Sequence, residues 1–156
     1  MKNRYILWET KMSLQNWKKN RWLLAHSSSR REIQDLFGII DRDLQECLLE
    51  GLSSDWKLNI AYNAALKAAT AALAAAGYRA STESHHHRVI MSLELTIGWT
   101  TDTVDLLDKF RKKRNISDYN RAGTVTEKEA NEMFSLAEKL RSDVIKWIKK
   151  DHPEFV

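Results

Sequence analysis

The chain has almost nothing with which to staple or bend itself: one cysteine, one proline and five glycines in 156 residues. The single cysteine, Cys47, excludes an intramolecular disulfide framework and any multi-cysteine zinc or iron–sulfur site, and it suits a reducing cytoplasm. So few turn-forming residues leave room for a few long elements, which are usually helices. No apolar run reaches the ~20 residues of a membrane span. The first residues are basic but lack the apolar core of a secretory signal. Glycine-rich phosphate loops, nucleophile elbows and paired histidines at helical metal-ligand spacing are also absent from the sequence.

What is present is an ordinary globular balance, 43% hydrophobic and 29% charged, in a length that suits one domain. The net charge is +4, and its placement says more than its size. Lys2, Arg4, Lys11, Lys18, Lys19, Arg21, Arg30 and Arg31 precede Glu32 with only Glu9 against them. A second cluster runs Lys109-Phe110-Arg111-Lys112-Lys113-Arg114. Such clusters attract polyanions such as RNA by neutralising phosphates, and they equally suit a solvated helix surface. Met12 offers an alternative start, which makes 1–12 a basic N-terminal arm and 13–156 the folded bundle.

Apolar residues recur at helical spacing along the chain. The pattern predicts a first helix over Ser13–His26, with Leu14, Trp17, Trp22 and Leu24 as its bulky members. Ser29 with Glu32 forms a capping box for a second helix over Arg30–Glu50, whose buried stripe is Ile33, Leu36, Phe37, Ile40, Leu44, Cys47 and Leu48. The third, Asp55–Ala76, is apolar nearly all round and rich in alanine, as the central helix of a bundle should be. A loop over Tyr78–Ser84 leads to a fourth helix, His85–Ile97, and a fifth starts near Asp102 and reaches Tyr119. Thr126 and Glu129 cap the last, which runs to Lys150 with Met133, Leu136, Ala137, Leu140, Val144, Trp147 and Ile148 buried. The fold class is all-α: an antiparallel bundle of five to six helices.

Two clusters could carry chemistry. His85-His86-His87 tempts with metal, but consecutive helical residues point about 100° apart and cannot share one ion unaided. A helix start packed under the preceding loop fits them better. The fifth helix gathers Thr103, Leu106, Leu107 and Phe110 on one face, and Arg114 falls among them. A guanidinium on an apolar stripe is costly unless a partner or polar cleft receives it. Arg111, Asn115 and Tyr119 form an adjoining stripe, with Asp118 between the two and within reach of Arg114. The same spacing also fits a plain Arg114–Asp118 pair at a helix end.

The segment Arg111 to Tyr119, late in a helical bundle, resembles the signature helix of HEPN domains (higher eukaryotes and prokaryotes nucleotide-binding). The alanine-rich helix ending in Gly77-Tyr78-Arg79 before His85-His86 is similar to small bacterial members, so the likeness spans about Leu58 to Trp147. It implies a HEPN-like bundle that dimerises through the Arg114 helix and, in active members, cuts RNA without metal or cofactor. Arg114 takes the arginine position that binds the scissile phosphate, Asn115 the polar position, and Tyr119 the position that holds histidine in active members. Lys109, Arg111, Lys112, Lys113 and Asp118 flank them as nucleic-acid-binding candidates. A phenol titrates near 10 against about 6.5 for imidazole, so it is the poorer base at neutral pH. The likeness therefore implies an RNA-interacting protein of a toxin–antitoxin, stress or phage-defence setting with a degenerate ribonuclease motif. Its alternatives are a silent partner or substrate-binding module for a separately encoded minimal nucleotidyltransferase, and a structural dimer.

Overall fold

The computed structural model describes residues 13–82, 85–119 and 123–156, with side chains for all of these except 116–119. The arm expected over 1–12 lies outside the described residues. Among the described residues six helices follow in order: α1 (Leu14–Lys19), α2 (Arg30–Glu46), α3 (Ser54–Ala75), α4 (His85–Met91), α5 (Thr101–Tyr119) and α6 (Glu127–Asp151). No helix among the described residues is long and apolar enough to cross a membrane. The all-α bundle read from the sequence is the architecture found.

Its axis is α3. Leu58, Tyr62 and Leu73 are buried together with Ala61, Ala64, Ala65, Ala68, Ala69, Ala71 and Ala72. Alanine offers a methyl where another residue would hold a neighbour off, so α2 and α6 pack close and most extensively against it. From α6 come Met133, Leu136, Ala137, Leu140, Val144 and Ile148, all buried as expected, while Trp147 is half-buried against His152. From α2 come Ile33 and Ile40. A serine or threonine caps each of α2, α3 and α6. Ser29 accepts from the Glu32 amide, Ser53 from the Trp56 amide, and Thr126 from the Glu129 amide with Glu129 returning the bond.

The structure revises four sequence expectations, each for a local reason. The first helix ends at Lys19, not His26. The Arg21 amide bonds to the Lys18 carbonyl and the Trp22 amide to the Trp17 carbonyl, which is a Schellman stop. It needs a left-handed residue, and Arg21 supplies it at φ 64° without being glycine. Trp22 and Leu24 therefore leave the helix; Leu23–Ala25 becomes a strand, β1, that pairs antiparallel with Tyr78–Ala80, β2, inside the expected loop. Second, α2 stops at Glu46, so Leu48 is exposed instead of buried. Third, Glu32 does not complete a capping box, because its carboxylate turns to His26 Nε2 at 2.7 Å. Fourth, the helix from His85 tightens after Met91 into a 3-10 turn over Ser92–Glu94, where the buried Ser92 hydroxyl donates to the Val89 carbonyl at 2.6 Å, and Ile97 is half-buried.

The small β1–β2 clip fixes where α4 begins. α4 packs against β2, and the Arg88 guanidinium lies 3.6 Å above the Trp22 ring. At the other end, the Asp55 carboxylate in the first turn of α3 accepts from the Gly123 amide at 2.6 Å and from the Val125 amide at 3.4 Å. The start of α3 thus anchors the connection between α5 and α6.

Close packing on α3 is directly testable. Ala68→Leu inserts three carbons into a site with no exposed surface and should cost about 1–3 kcal/mol in urea unfolding, whereas enlarging the half-buried Lys67 side of the helix should not.

Candidate functional site

The inward face of α5 carries Val104, Leu107 and Phe110, all buried. Leu106, expected among them, is 40% exposed, because the core-facing stripe is centred on Leu107 and leaves Leu106 on the flank. Arg111 and Arg114 continue the buried stripe at helical spacing and stay partly buried. The polar cleft that Arg114 requires comes from α3: its Nε donates to Asn59 Oδ1, and its guanidinium lies 5.2 Å from the centre of the Tyr62 ring. Its reception within the same chain removes burial of Arg114 as a reason for dimerisation.

Arg111 is held by a carboxylate that sequence reading passed over. Asp108, only 6% exposed, accepts from Arg111 Nε at 2.7 Å and, on the same Oδ1, lies 3.2 Å from His87 Nδ1. Burial alone would push Asp108 up, but the hydrogen bonds from Arg111 and His87, with their charges, outweigh it and hold the group below its ordinary value. Asp108 therefore stays a carboxylate and fixes a guanidinium and an imidazole side by side. The i,i+3 spacing to Arg111 was visible in the sequence, but its burial and its tie to α4 were not.

Consecutive histidines on α4 meet different neighbours, as their angular spacing requires. His86 Nδ1 lies 3.4 Å from the Tyr62 hydroxyl. Burial, followed by Arg114 and Arg111, sets the phenol: desolvation pushes Tyr62 up to about 12 despite the opposing pull of the two guanidiniums. A phenol that keeps its proton donates, and His86 accepts. Desolvation first, then the charges of His85, Arg114, Arg111 and Lys67, lower the pKa of His86 and keep it neutral. His85, His86, His87 and Arg111 line one open pocket of about 470 Å3.

The predicted cluster thus separates. Arg111 and Arg114 belong to the site. Lys109 and Lys112 are exposed, roughly 140–160° around α5 from Arg114. Lys112 Nζ approaches Asp108 at 3.8 Å, and Lys113 turns to Glu129 at 3.6 Å. Asn115 is exposed. Asp118 and Tyr119 fall on α5, and their side chains lie outside the described residues. Asn59, Tyr62, His86, His87 and Asp108 were not among the predicted site residues. The histidine run was the one signal that stood out, and its partners come from other helices.

Cys47 takes no part. It is buried at the end of α2, where desolvation pushes its thiol up to about 11, so it behaves as a small core residue.

A protein-family model described as HEPN domain matches residues 40–149, from the middle of α2 nearly to the end of α6. No curated protein and no solved structure matches the chain.

The Asp108 cluster predicts an acid limit to stability. Its pKa is lower in the folded state than the usual 3.8, so the unfolded chain binds the proton first. The stabilisation is fully present above about pH 5 and is lost as pH falls through the folded value. Asp108→Asn should lower stability at pH 7 by about 1–3 kcal/mol, and the variant's unfolding free energy should depend less on pH below 4 than that of the natural chain.

Proposed function

The chain belongs to the HEPN domain family, and on that premise we propose that it binds RNA through the α4–α5 face, with Arg111 and Arg114 as the phosphate grips. The supporting observation is that both guanidiniums are oriented by fixed acceptors, Asp108 and Asn59, on the half-buried side of α5 beside the histidine pocket. A forked donor held in place binds a phosphate with less loss of side-chain freedom than a loose lysine. Lys109 and Lys112 on the outer side supply the diffuse charge that draws a polyanion in. In this reading two copies pair with their α5 helices facing across a two-fold axis, and the protein acts in a toxin–antitoxin, stress or phage-defence setting. Tyr119 in place of the usual histidine makes the α5 motif a degenerate ribonuclease motif.

Fluorescence anisotropy with a labelled single-stranded RNA tests the binding. Affinity should fall steeply between about 50 and 200 mM salt, with a log–log slope of about −0.7 for each phosphate neutralised. Arg114→Ala should weaken binding and flatten the slope by about 0.7, and combined Lys109→Ala and Lys112→Ala should flatten it further. Absence of binding at low salt would sink the RNA reading and favour a partner of a minimal nucleotidyltransferase.

Sedimentation at micromolar concentration tests the pairing. A dimer is expected, and a strict monomer would confine the site to a single chain.

A further inference from the structure

The geometry points to His87 as the group that exchanges a proton with RNA in this site, with Asp108 as its positioning residue. The inference rests on the RNA-binding reading and adds to it a catalytic group on α4, where the α5 motif has a tyrosine.

The other imidazoles among the described residues are committed elsewhere or lack a fixed orientation. His26 is bound by Glu32 at 2.7 Å. His152 packs on Trp147 and lies 3.7 Å from Glu154, beyond the end of α6. His85 is exposed at the start of α4, with only the edge of His86 against its ring. His86 has Nδ1 against the Tyr62 phenol. His87 differs in combining a fixed tautomer with access. Its Nδ1 lies 3.2 Å from a carboxylate that is almost fully buried, and its side chain is 40% exposed at the pocket. A proton on Nδ1 shared with Asp108 leaves the lone pair of a neutral ring on Nε2. This is the arrangement by which a carboxylate orients a working histidine.

The same Asp108 oxygen also holds Arg111, so a guanidinium and an oriented imidazole border one pocket. A phosphodiester gripped there by Arg111, with Arg114 about one turn further along α5, would bring its ribose to the pocket that His87 lines. Among the charged and titratable groups, Asp108 on α5 bonds to His87, His85 and His86 on its own helix and Arg111 on α5 line the same pocket, and Lys112 reaches the far oxygen of Asp108.

The chemistry balances without a metal or an oxidant. His87 Nε2 takes the proton of the 2′-hydroxyl as the 2′-oxygen forms a bond to phosphorus. The bond from phosphorus to the 5′-oxygen breaks, and that oxygen takes a proton from water. The imidazolium then returns its proton to solvent. The products are a 2′,3′-cyclic phosphate and a 5′-hydroxyl. Arg111 and Arg114 offset the charge that gathers on the non-bridging oxygens.

The test uses the full chain and an end-labelled, unstructured RNA containing every dinucleotide step, with binding and cleavage measured separately. The natural protein should cut it, leaving cyclic phosphate ends, and should leave an all-deoxy version intact. His87→Asn keeps a donor where Nδ1–H meets Asp108 but cannot exchange the proton. It should retain thermal stability and RNA affinity within a few-fold and lose at least about 100-fold in single-turnover cleavage. His87→Ala should be partly rescued by added imidazole, which a merely structural role would not allow. Asp108→Asn should slow cleavage of bound RNA by more than it weakens RNA binding, and should change the pH profile of cleavage. RNA bound with the expected salt dependence but left uncut, or cut by His87→Asn at the natural rate, overturns the assignment and leaves the binding reading standing. RNA that is not bound at all overturns both.

Discussion

The structure depends on the close approach of α2 and α6 to a helix that presents them with little more than methyl groups. Alanines along α3 let three helices share one axis at short range, and the core-facing side chains of α2 and α6 fill the space that α3 leaves. The cost is that α3 contributes little apolar bulk of its own. Its larger residues are few, and two of the polar ones, Asn59 and Tyr62, stand where α5 crosses. The helix that sets the core therefore also sets the floor of the site. A shift of α3 to relieve crowding would displace the acceptor for Arg114 and the ring beneath it.

The site is an electrostatic balance struck at one carboxylate. The Arg111 guanidinium, the Lys112 ammonium group and the His87 imidazole lie against Asp108, which is buried and yet kept ionised by its hydrogen bonds. Without it Arg111 would lose its fixed direction and His87 its tautomer. The excess of positive charge that remains around the pocket is available to an anion, as a neutralised cluster would not be. Tyr62 is kept as a phenol by its burial, against the pull of the same guanidiniums. It orients His86 and braces Arg114 without entering proton exchange itself.

Periodicity made the long helices legible because each buries a continuous stripe. α3 and α6 fall within a residue or so of their expected limits, and the Thr126–Glu129 box is where the sequence places it. The short elements were not legible, since their conformations depend on residues that carry no mark of them. Arg21 adopts a left-handed conformation that glycine would have advertised, and the strand it releases pairs with a segment more than fifty residues later. Of the site, the two arginines could be placed on the correct helix from spacing alone. Asp108 read as one charge in a charged helix, because burial belongs to the assembled bundle and not to the residue's neighbours in sequence. The lysines beside the arginines looked like part of one cluster, and only the orientation of α5 divides an inward pair from an outward group.

The three histidines of α4 take their roles from the helices around them. The spacing of about 100° that bars His85, His86 and His87 from sharing one ion also lets a single short helix serve two others. α4 lies against both α3 and α5, so His86 meets a phenol while His87 meets a carboxylate. These partners impose different duties. The phenol donates to His86 and occupies the nitrogen that could have acted as base. The carboxylate accepts from His87 and directs the basic nitrogen away from itself. A working arrangement of arginine and imidazole is defined by where the groups meet and not by which helix supplies them. In this bundle the Arg88–Trp22 contact and the packing of α4 on β2 hold the helix from which His87 meets Asp108.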